Sequence, residues 1–265
     1  MAVAPIVLLT DFGLADGYPG VMKGVIYSFC PEVPIIDLSH EVPAHNLAAA
    51  AFLLLKSHSY FPKNSIFVAV IDPGVGSARK IIHLKWRDWV FLAPDNGLLT
   101  PFLLKAEDIA QLREVTQSDL FLVKRGNTFD GRDRFAPVAA QLARGFDPEE
   151  LGPVLAAPVM IPGLLPTPRF FGRKIIGQVI YVDTFGNLIT TIEGSEIEKS
   201  AGSNKPYVKL NAQRIPVVSS YAAVQPGEAL AVVGGFGTLE IAVNQGNAQR
   251  TLRVAEGQTV EVIVE

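Results

Sequence analysis

The first half of the chain alternates short apolar runs with longer segments of helical pattern. The apolar runs are rich in β-branched residues, and they lie at residues 6–9, 33–36, 66–71 and 90–92. Segments of helical pattern follow at residues 18–29, 45–58 and 135–144. Strands that alternate with helices are typical of layered α/β proteins. We therefore predict an α/β domain with a layered sheet over residues 1–165.

The pattern changes after a proline-rich stretch at residues 151–169. Its prolines are Pro153, Pro158, Pro162, Pro166 and Pro168, and they favour an extended connector between domains. Beyond it, short apolar runs at 175–182, 188–192, 229–233 and 259–264 are separated by Gly, Asn and Pro turns. This pattern predicts a smaller all-β domain, barrel-like or a sandwich, over residues 170–265.

Composition narrows the classes of partner. Hydrophobic residues make up 49% of the chain, charged residues 18%, and the net charge is −3 without a dense basic run. We therefore expect no nucleic-acid or membrane partner. The single cysteine, Cys30, excludes an internal disulfide. The apolar run at 47–55 is much shorter than the roughly 18 residues of a membrane span. A cytoplasmic protein that binds a small molecule is the expectation.

The first strand is followed by two acidic residues. Asp11 stands in Thr10-Asp11-Phe12-Gly13, and Asp16 precedes the first predicted helix. Ligands bind at the carboxyl ends of strands in α/β sheets, where carboxylates accept hydrogen bonds from ligand hydroxyls. The alternative for Asp16 is that it caps the helix.

The third strand is followed by an acid and a base. Asp72 opens Asp72-Pro73-Gly74-Val75-Gly76, and Arg79 lies seven residues after it. Such a pair could orient a water molecule and favour its deprotonation. The alternative is a turn with an ion pair on the surface.

Three further segments carry candidate chemistry. Asp130 and Asp133 flank Gly131-Arg132, which suggests either a metal site or a cap of the next helix by Asp133. A metal-dependent phosphohydrolase that uses Asp11, Asp16 and Asp130 is one hypothesis. The segment 183–187 is consistent with a hairpin turn, and the glycines near residue 235 permit close approach to a ligand.

Six motifs, in this order along both domains, resemble the S-adenosylmethionine hydroxide adenosyltransferases, which are relatives of fluorinase and chlorinase. The motifs are Thr10-Asp11-Phe12-Gly13; Asp72-Pro73-Gly74-Val75-Gly76; Pro94-Asp95-Asn96-Gly97-Leu98-Leu99-Thr100; Thr128-Phe129 with Gly131-Arg132-Asp133 and Phe135-Ala136-Pro137; Asp183 with Phe185-Gly186-Asn187; and Leu239-Glu240-Ile241-Ala242-Val243-Asn244. The resemblance implies an α/β domain, a β-barrel and a homotrimer whose sites lie between neighbouring subunits. The implied reaction is attack of hydroxide on the 5′-carbon of S-adenosyl-L-methionine, which releases adenosine and L-methionine without a cofactor or a metal.

The resemblance also implies catalytic residues. Asp72 and Arg79 match two members of the family's water-handling triad, a pair that the halogenating relatives lack. The third member of the triad is a histidine in the family, and here that position is Asp130. An added negative charge opposes deprotonation of water, so this departure leaves open a non-catalytic protein that binds adenosine or S-adenosylmethionine. Gly131, small beside the reacting carbon, would be compatible with chloride as well as water, which leaves open a halogenase related to chlorinase.

The remaining implied residues bind substrate. Asp11 would hold the ribose hydroxyls with Asp16 close by, and Phe129 would pack on the substrate. Asn187 would contact the adenine edge beside Phe185, and Asp183 would meet the methionine ammonium group. The expected set also includes His45, Gly131, Gly235, Phe236 and Val243. At Gly234-Gly235 relatives often carry a polar side chain for the methionine carboxylate, which backbone N–H groups could replace.

Overall fold

Each half of the chain is built on a sheet of its own. The computed structural model describes residues 3–123, 126–202 and 204–265. The chain divides into two units, Met1–Leu164 and Leu165–Glu265.

The first unit contains a six-stranded sheet with the spatial order β2-β1-β3-β5-β4-β6. Its strands are β1 (Ile6–Thr10), β2 (Ile35–Ser39), β3 (Ile66–Val70), β4 (Ile81–Trp86), β5 (Trp89–Pro94) and β6 (Ile109–Glu114). Strands β2, β1, β3 and β5 are parallel, whereas β4 runs antiparallel to β5 and β6. The predicted α/β fold with a layered sheet is confirmed.

Helices cover this sheet. They are α1 (Tyr18–Phe29), α2 (Leu47–Ser57), α3 (Thr100–Leu103) and α4 (Ala136–Ala143), with a π-helical turn at Gly131–Phe135 and 3₁₀ turns at His58–Tyr60, Ala106–Asp108, Ser118–Leu120 and Pro148–Leu151. Every residue of β1 and β3 is buried, as expected for parallel strands covered on both faces. Met22 and Ile26, one turn apart on α1, are buried in the same hydrophobic core as residues of β1, β3 and α4.

The second unit is an antiparallel sheet with the order β11-β10-β14-β8-β9-β13-β12, and β7 pairs with β8. Its strands are β7 (Arg169–Phe171), β8 (Lys174–Val182), β9 (Leu188–Glu193), β10 (Pro206–Leu210), β11 (Gln213–Pro216), β12 (Ala229–Val233), β13 (Thr238–Val243) and β14 (Thr259–Val264). A bridge between Val217, just after β11, and Ala231 of β12 brings the two ends of the sheet together. The sheet is therefore a nearly closed barrel, which confirms the barrel-like prediction.

Two short helices, α5 (Gly194–Ala201) and α6 (Ala248–Leu252), and a 3₁₀ turn at Tyr221–Ala223 connect these strands. None of the helices in the described ranges has both the length and the apolar composition needed to cross a bilayer.

Candidate functional site

Two carboxylates lie at the carboxyl ends of neighbouring strands. Thr10 of β1 pairs with Val70 of β3, so Asp11 and Asp72 follow strands that lie side by side. Both border a cavity of about 300 Å³ in the first unit. The cavity is lined by residues from both strand ends and two loops: Asp11, Phe12, Tyr18, Ala44, His45, Val70, Asp72, Val75, Thr128, Phe129, Asp130 and Gly131.

A buried charge cluster lies at one side of this cavity. Arg79 Nη2 contacts Asp72 Oδ2 and lies 3.1 Å from Asp130 Oδ2. The side chains of Asp72, Arg79 and Asp130 are only 4%, 9% and 5% exposed. The alternative of a surface ion pair is therefore wrong, because the loop folds inward against the segment that carries Asp130. One guanidinium bridges two buried carboxylates.

Gly76 makes this approach possible. Its φ is +83°, and a Cβ at this position would lie 2.7 Å from the backbone oxygen of Asn127. Any other residue would be strained in this conformation and would also push the two loops apart. The close contact holds the Asp72 loop against the segment that leads to Asp130.

A π-helical turn follows Asp130 directly. Ala136 N–H donates to the carbonyl of Gly131, which closes the wide turn. Turns of this kind are rare in proteins, and those that occur are often found at functional sites. Asp133 does not cap a helix as the sequence suggested; it is buried and accepts two hydrogen bonds from Arg132, at 2.7 and 2.9 Å.

Three aromatic rings form one wall of the cavity. Phe12, Tyr18 and Phe129 meet edge to face, with centroid distances of 5.8, 5.9 and 5.0 Å. A Cβ on Gly131 would lie 3.1 Å from Phe129 and 3.4 Å from Phe12, so only glycine fits beside them without displacement. Phe12 and Tyr18 were not predicted as lining residues, although both are close in sequence to Asp11.

Asp11 joins two segments that line the cavity, its own and that of His45. Its Oδ2 accepts a hydrogen bond of 2.9 Å from the backbone N–H of His45, whose φ is +63°. Positive φ in a residue other than glycine costs energy, so the surrounding loop must hold His45 in this conformation. Asp16 is exposed and does not line the cavity. It does not cap α1 either, because Gly17 occupies that position.

A buried histidine, His40, stabilises the loop that carries Asp11. The Nδ1 atom of His40 lies 2.8 Å from the hydroxyl of Thr10, and its carbonyl accepts the N–H of Gly13 at 2.7 Å. Its Nε2 lies 3.0 Å from Asp37 Oδ1. His40 therefore holds both ends of the segment that carries Asp11.

The second unit has a cavity of its own, of about 410 Å³. It is lined by Phe185, Asn187, Tyr221, Val243, Asn244, Gln245 and Gly246. The expected residues Phe185, Asn187 and Val243 are among these, whereas Gly235 and Phe236 lie on the exposed β12–β13 turn. Tyr221 was not anticipated, because no motif in the sequence singles it out.

Asp183 organises the turn that carries Asn187. Its two carboxylate oxygens accept hydrogen bonds from the N–H groups of Phe185 and Asn187 and from the Asn187 side chain, at 2.9, 2.8 and 3.0 Å. Gly186 has a φ of +86°. The hairpin expected here is confirmed, and it fixes the orientation of the Asn187 amide.

A second carboxylate of this unit, Glu240, lies behind Tyr221. Glu240 is 7% exposed and accepts a hydrogen bond from the Tyr221 hydroxyl. Burial raises the pKa of Glu240, and the negative charge of Asp183 raises this pKa further. Its Oε2 would lie 2.2 Å from a Cβ on Gly234, whose N–H already donates to Thr238. The Gly234 N–H is therefore already engaged within the β12–β13 turn.

Of the carboxylates in the metal hypothesis, Asp11 and Asp130 line the same cavity, whereas Asp16 does not. Within residues 3–123, 126–202 and 204–265, no group of three or more His, Cys, Asp or Glu side chains is placed to hold a metal ion.

Comparison with known proteins decides the family. Residues 6–152 match the model of the SAM hydroxide adenosyltransferase N-terminal domain, and residues 177–261 match that of the C-terminal domain. The chain belongs to the SAM hydroxide adenosyltransferase family. The similarity to this family inferred from the motifs is thus confirmed.

Relatives within and beyond this SAM hydroxide adenosyltransferase family cover nearly the whole chain. An (R)-S-adenosyl-L-methionine hydrolase of Thermus thermophilus is 37% identical over 98% of this chain and 99% of its own. A fluorinase of Actinoplanes sp. is more distant, at 24% identity over 97% of this chain and 96% of its own. The crystal structure of an uncharacterized conserved protein from Thermotoga maritima superposes with a TM-score of 0.89 at 37% identity, covering 97% and 99% of the two chains.

Proposed function

We propose that this protein hydrolyses S-adenosyl-L-methionine to adenosine and L-methionine, with water attacking the 5′-carbon. The observation that carries the proposal is the buried Asp72–Arg79–Asp130 cluster beside a cavity with an aromatic wall, in a chain of this family. The name of the Thermus thermophilus relative specifies the (R) form of the substrate, and we propose the same preference here.

The proposed chemistry makes modest demands on the protein. The leaving group departs from a sulfonium as a neutral thioether, so it needs no general acid. The protein has to hold one water molecule in line with the 5′-carbon and to accept its proton. Asp72 or Asp130 would take that proton as the carbon–oxygen bond forms and the carbon–sulfur bond breaks. The proton then passes to solvent.

The substrate contacts are proposals from the family resemblance that are compatible with the cavities. Asp11 would bind the ribose hydroxyls, with Phe129 packed on the nucleoside. Asn187 would bind the adenine edge beside Phe185, and Asp183 would meet the ammonium group while it holds its own turn.

The assembly and conditions of the reaction are also proposed. We propose a homotrimer located in the cytoplasm, with sites formed between subunits, and a reaction without a cofactor or a metal. Mixed trimers of Asp72→Asn and Asn187→Ala subunits should then regain part of the activity that each variant has lost. Treatment with EDTA should leave the rate unchanged.

The deciding experiment uses purified protein, the separated (S) and (R) forms of the substrate, and oxygen-18 water, with and without chloride. Adenosine that carries the label at its 5′-oxygen, together with unlabelled methionine, is the expected product from the (R) form. Formation of 5′-chloro-5′-deoxyadenosine would overturn the hydrolase assignment in favour of a halogenase. Binding without any product would indicate the non-catalytic alternative.

A further inference from the structure

A second arginine, Arg134, lies near the carboxylate oxygen of Asp130 that does not contact Arg79. Arg79 Nη2 lies 3.1 Å from Asp130 Oδ2, and Arg134 Nε lies 3.6 Å from Asp130 Oδ1. The third arginine of this region, Arg132, is held by Asp133 through two hydrogen bonds. The two oxygens of Asp130 therefore face two different guanidinium groups.

The surroundings of Arg134 hold its charge in place. Its guanidinium lies over the ring of Phe121, 5.1 Å from the ring centroid, and its side chain is only 28% exposed. Its Nε is buried and makes no hydrogen bond within the described part of the chain. A buried donor without a hydrogen bond costs free energy, which attraction to a buried carboxylate can offset.

The charges of the cluster explain why this attraction matters. Asp72, Arg79 and Asp130 together carry one net negative charge, and Arg134 makes the four residues neutral. Negative charge beside a water molecule opposes its deprotonation. We propose that Arg134 is a positioning residue that neutralises and orients Asp130, so that the cluster can activate water. This inference rests on the hydrolase function proposed above.

The test is a double-mutant cycle on the full-length protein. Arg134→Met and Asp130→His are made singly and together, and kcat and KM for S-adenosylmethionine hydrolysis are measured from pH 5.5 to 9. In the presence of Asp130, Arg134→Met should lower kcat about tenfold at pH 7, with little change in KM. The pH at which kcat rises should increase by about one unit, because loss of the positive charge disfavours the deprotonated state of the water-handling cluster.

The coupling is the decisive result. With His at position 130 the same Arg134→Met change should cost less than about twofold, because there is no carboxylate left to neutralise. Arg134→Lys keeps the charge and should stay within about threefold of the original protein. Arg144→Met, at an exposed position just after α4, controls for loss of an arginine as such.

Three outcomes would overturn the inference. The first is an equal loss of kcat from Arg134→Met whether residue 130 is Asp or His. The second is a change in KM alone, and the third is an Arg134→Met variant as active as the original enzyme. If circular dichroism shows that Arg134→Met does not fold, the Arg134→Lys and Arg134→Gln variants test the inference instead. Lys keeps the positive charge and Gln does not, so only Arg134→Gln should show the shifted dependence of kcat on pH. Original protein that releases no adenosine would instead overturn the proposed function, and the role of Arg134 with it.

Discussion

Replacing Arg79 by methionine tests whether the charge cluster is as buried as the structure indicates. The substitution removes the guanidinium that bridges Asp72 and Asp130 and keeps much of the apolar stem. Because one nitrogen contacts both carboxylates, their oxygens lie within roughly 5 Å, where two charges repel by about 3 kcal/mol at an effective dielectric constant of about 20. Loss of one partner from a buried ion pair typically costs about 3–5 kcal/mol.

We therefore expect Arg79→Met to lower the free energy of unfolding by about 3 kcal/mol at pH 8. The kcat/KM for S-adenosylmethionine should fall about 100-fold or more, as when a preorganised charged donor is removed. Arg79→Lys should lose less stability, because it keeps the charge, but it lacks the fork that reaches both oxygens.

Urea unfolding at pH 8, followed by circular dichroism, measures the free energy of unfolding, and chromatography of released adenosine measures activity. Lys80→Met is the matched control, because Lys80 is the next residue along the chain and its ion pair with Glu114 is at the surface. We expect that control to be active and as stable as the original protein. A loss below about 1 kcal/mol for Arg79→Met would refute the argument.

Three further predictions address the supports of the site and the stability of the fold. Gly76→Ala should lower the free energy of unfolding by about 1–3 kcal/mol and remove most activity. The control, Gly74→Ala, should lose little of either, because no atom lies closer than 3.6 Å to its Cβ. Urea unfolding measures the stability of each variant, and adenosine release measures its activity. Asn96→Asp should lower kcat about tenfold in steady-state assays, because the Asn96 amide donates at 2.8 Å to the carbonyl of Ile71, directly before Asp72. His83 is buried without a hydrogen bond on either ring nitrogen among the residues described, and burial lowers its pKa from 6.5 to about 4. Between pH 6.5 and 4 the imidazole of His83 binds a proton only in the unfolded chain, so the free energy of unfolding should fall by up to about 3 kcal/mol as pH drops through this range. Thermal unfolding measures this change, and His83→Leu should flatten the dependence of stability on pH between these values.

The sequence predicted the parallel part of the first sheet better than its antiparallel part. Helix α1 spans the expected residues 18–29, because its apolar positions repeat with helical spacing and a proline lies in its first turn. Strand β4 was missed, since His83 and Lys85 interrupt its apolar pattern. The tight β4–β5 turn contains Arg87 with a φ of +48°, where a glycine or an asparagine would have indicated a hairpin.

The sequence predicted those residues of the candidate site that follow strands of the parallel sheet. Asp11 and Asp72 follow strands, and the topology of a parallel sheet brings strand ends together. The contact between Arg79 and Asp130 joins residues 51 positions apart, and no local pattern encodes it. Burial of the ion pair, the π-helical turn and the contacts of Arg134 also depend on how the loops pack, so sequence spacing alone could not provide them.

The charge arrangement in the cavity bears on the choice between water and a halide as nucleophile. A halide stays negative when it enters, and here it would lie near two buried carboxylates that share the guanidinium of Arg79. Water enters uncharged, and a carboxylate can accept its proton as the sulfonium loses its positive charge. A carboxylate at position 130 thus disfavours a halide more than a neutral histidine would. The same carboxylate hinders water activation unless a second cation such as Arg134 is present, so the Asp130→His and Arg134→Met variants should differ in chloride use as well as in rate.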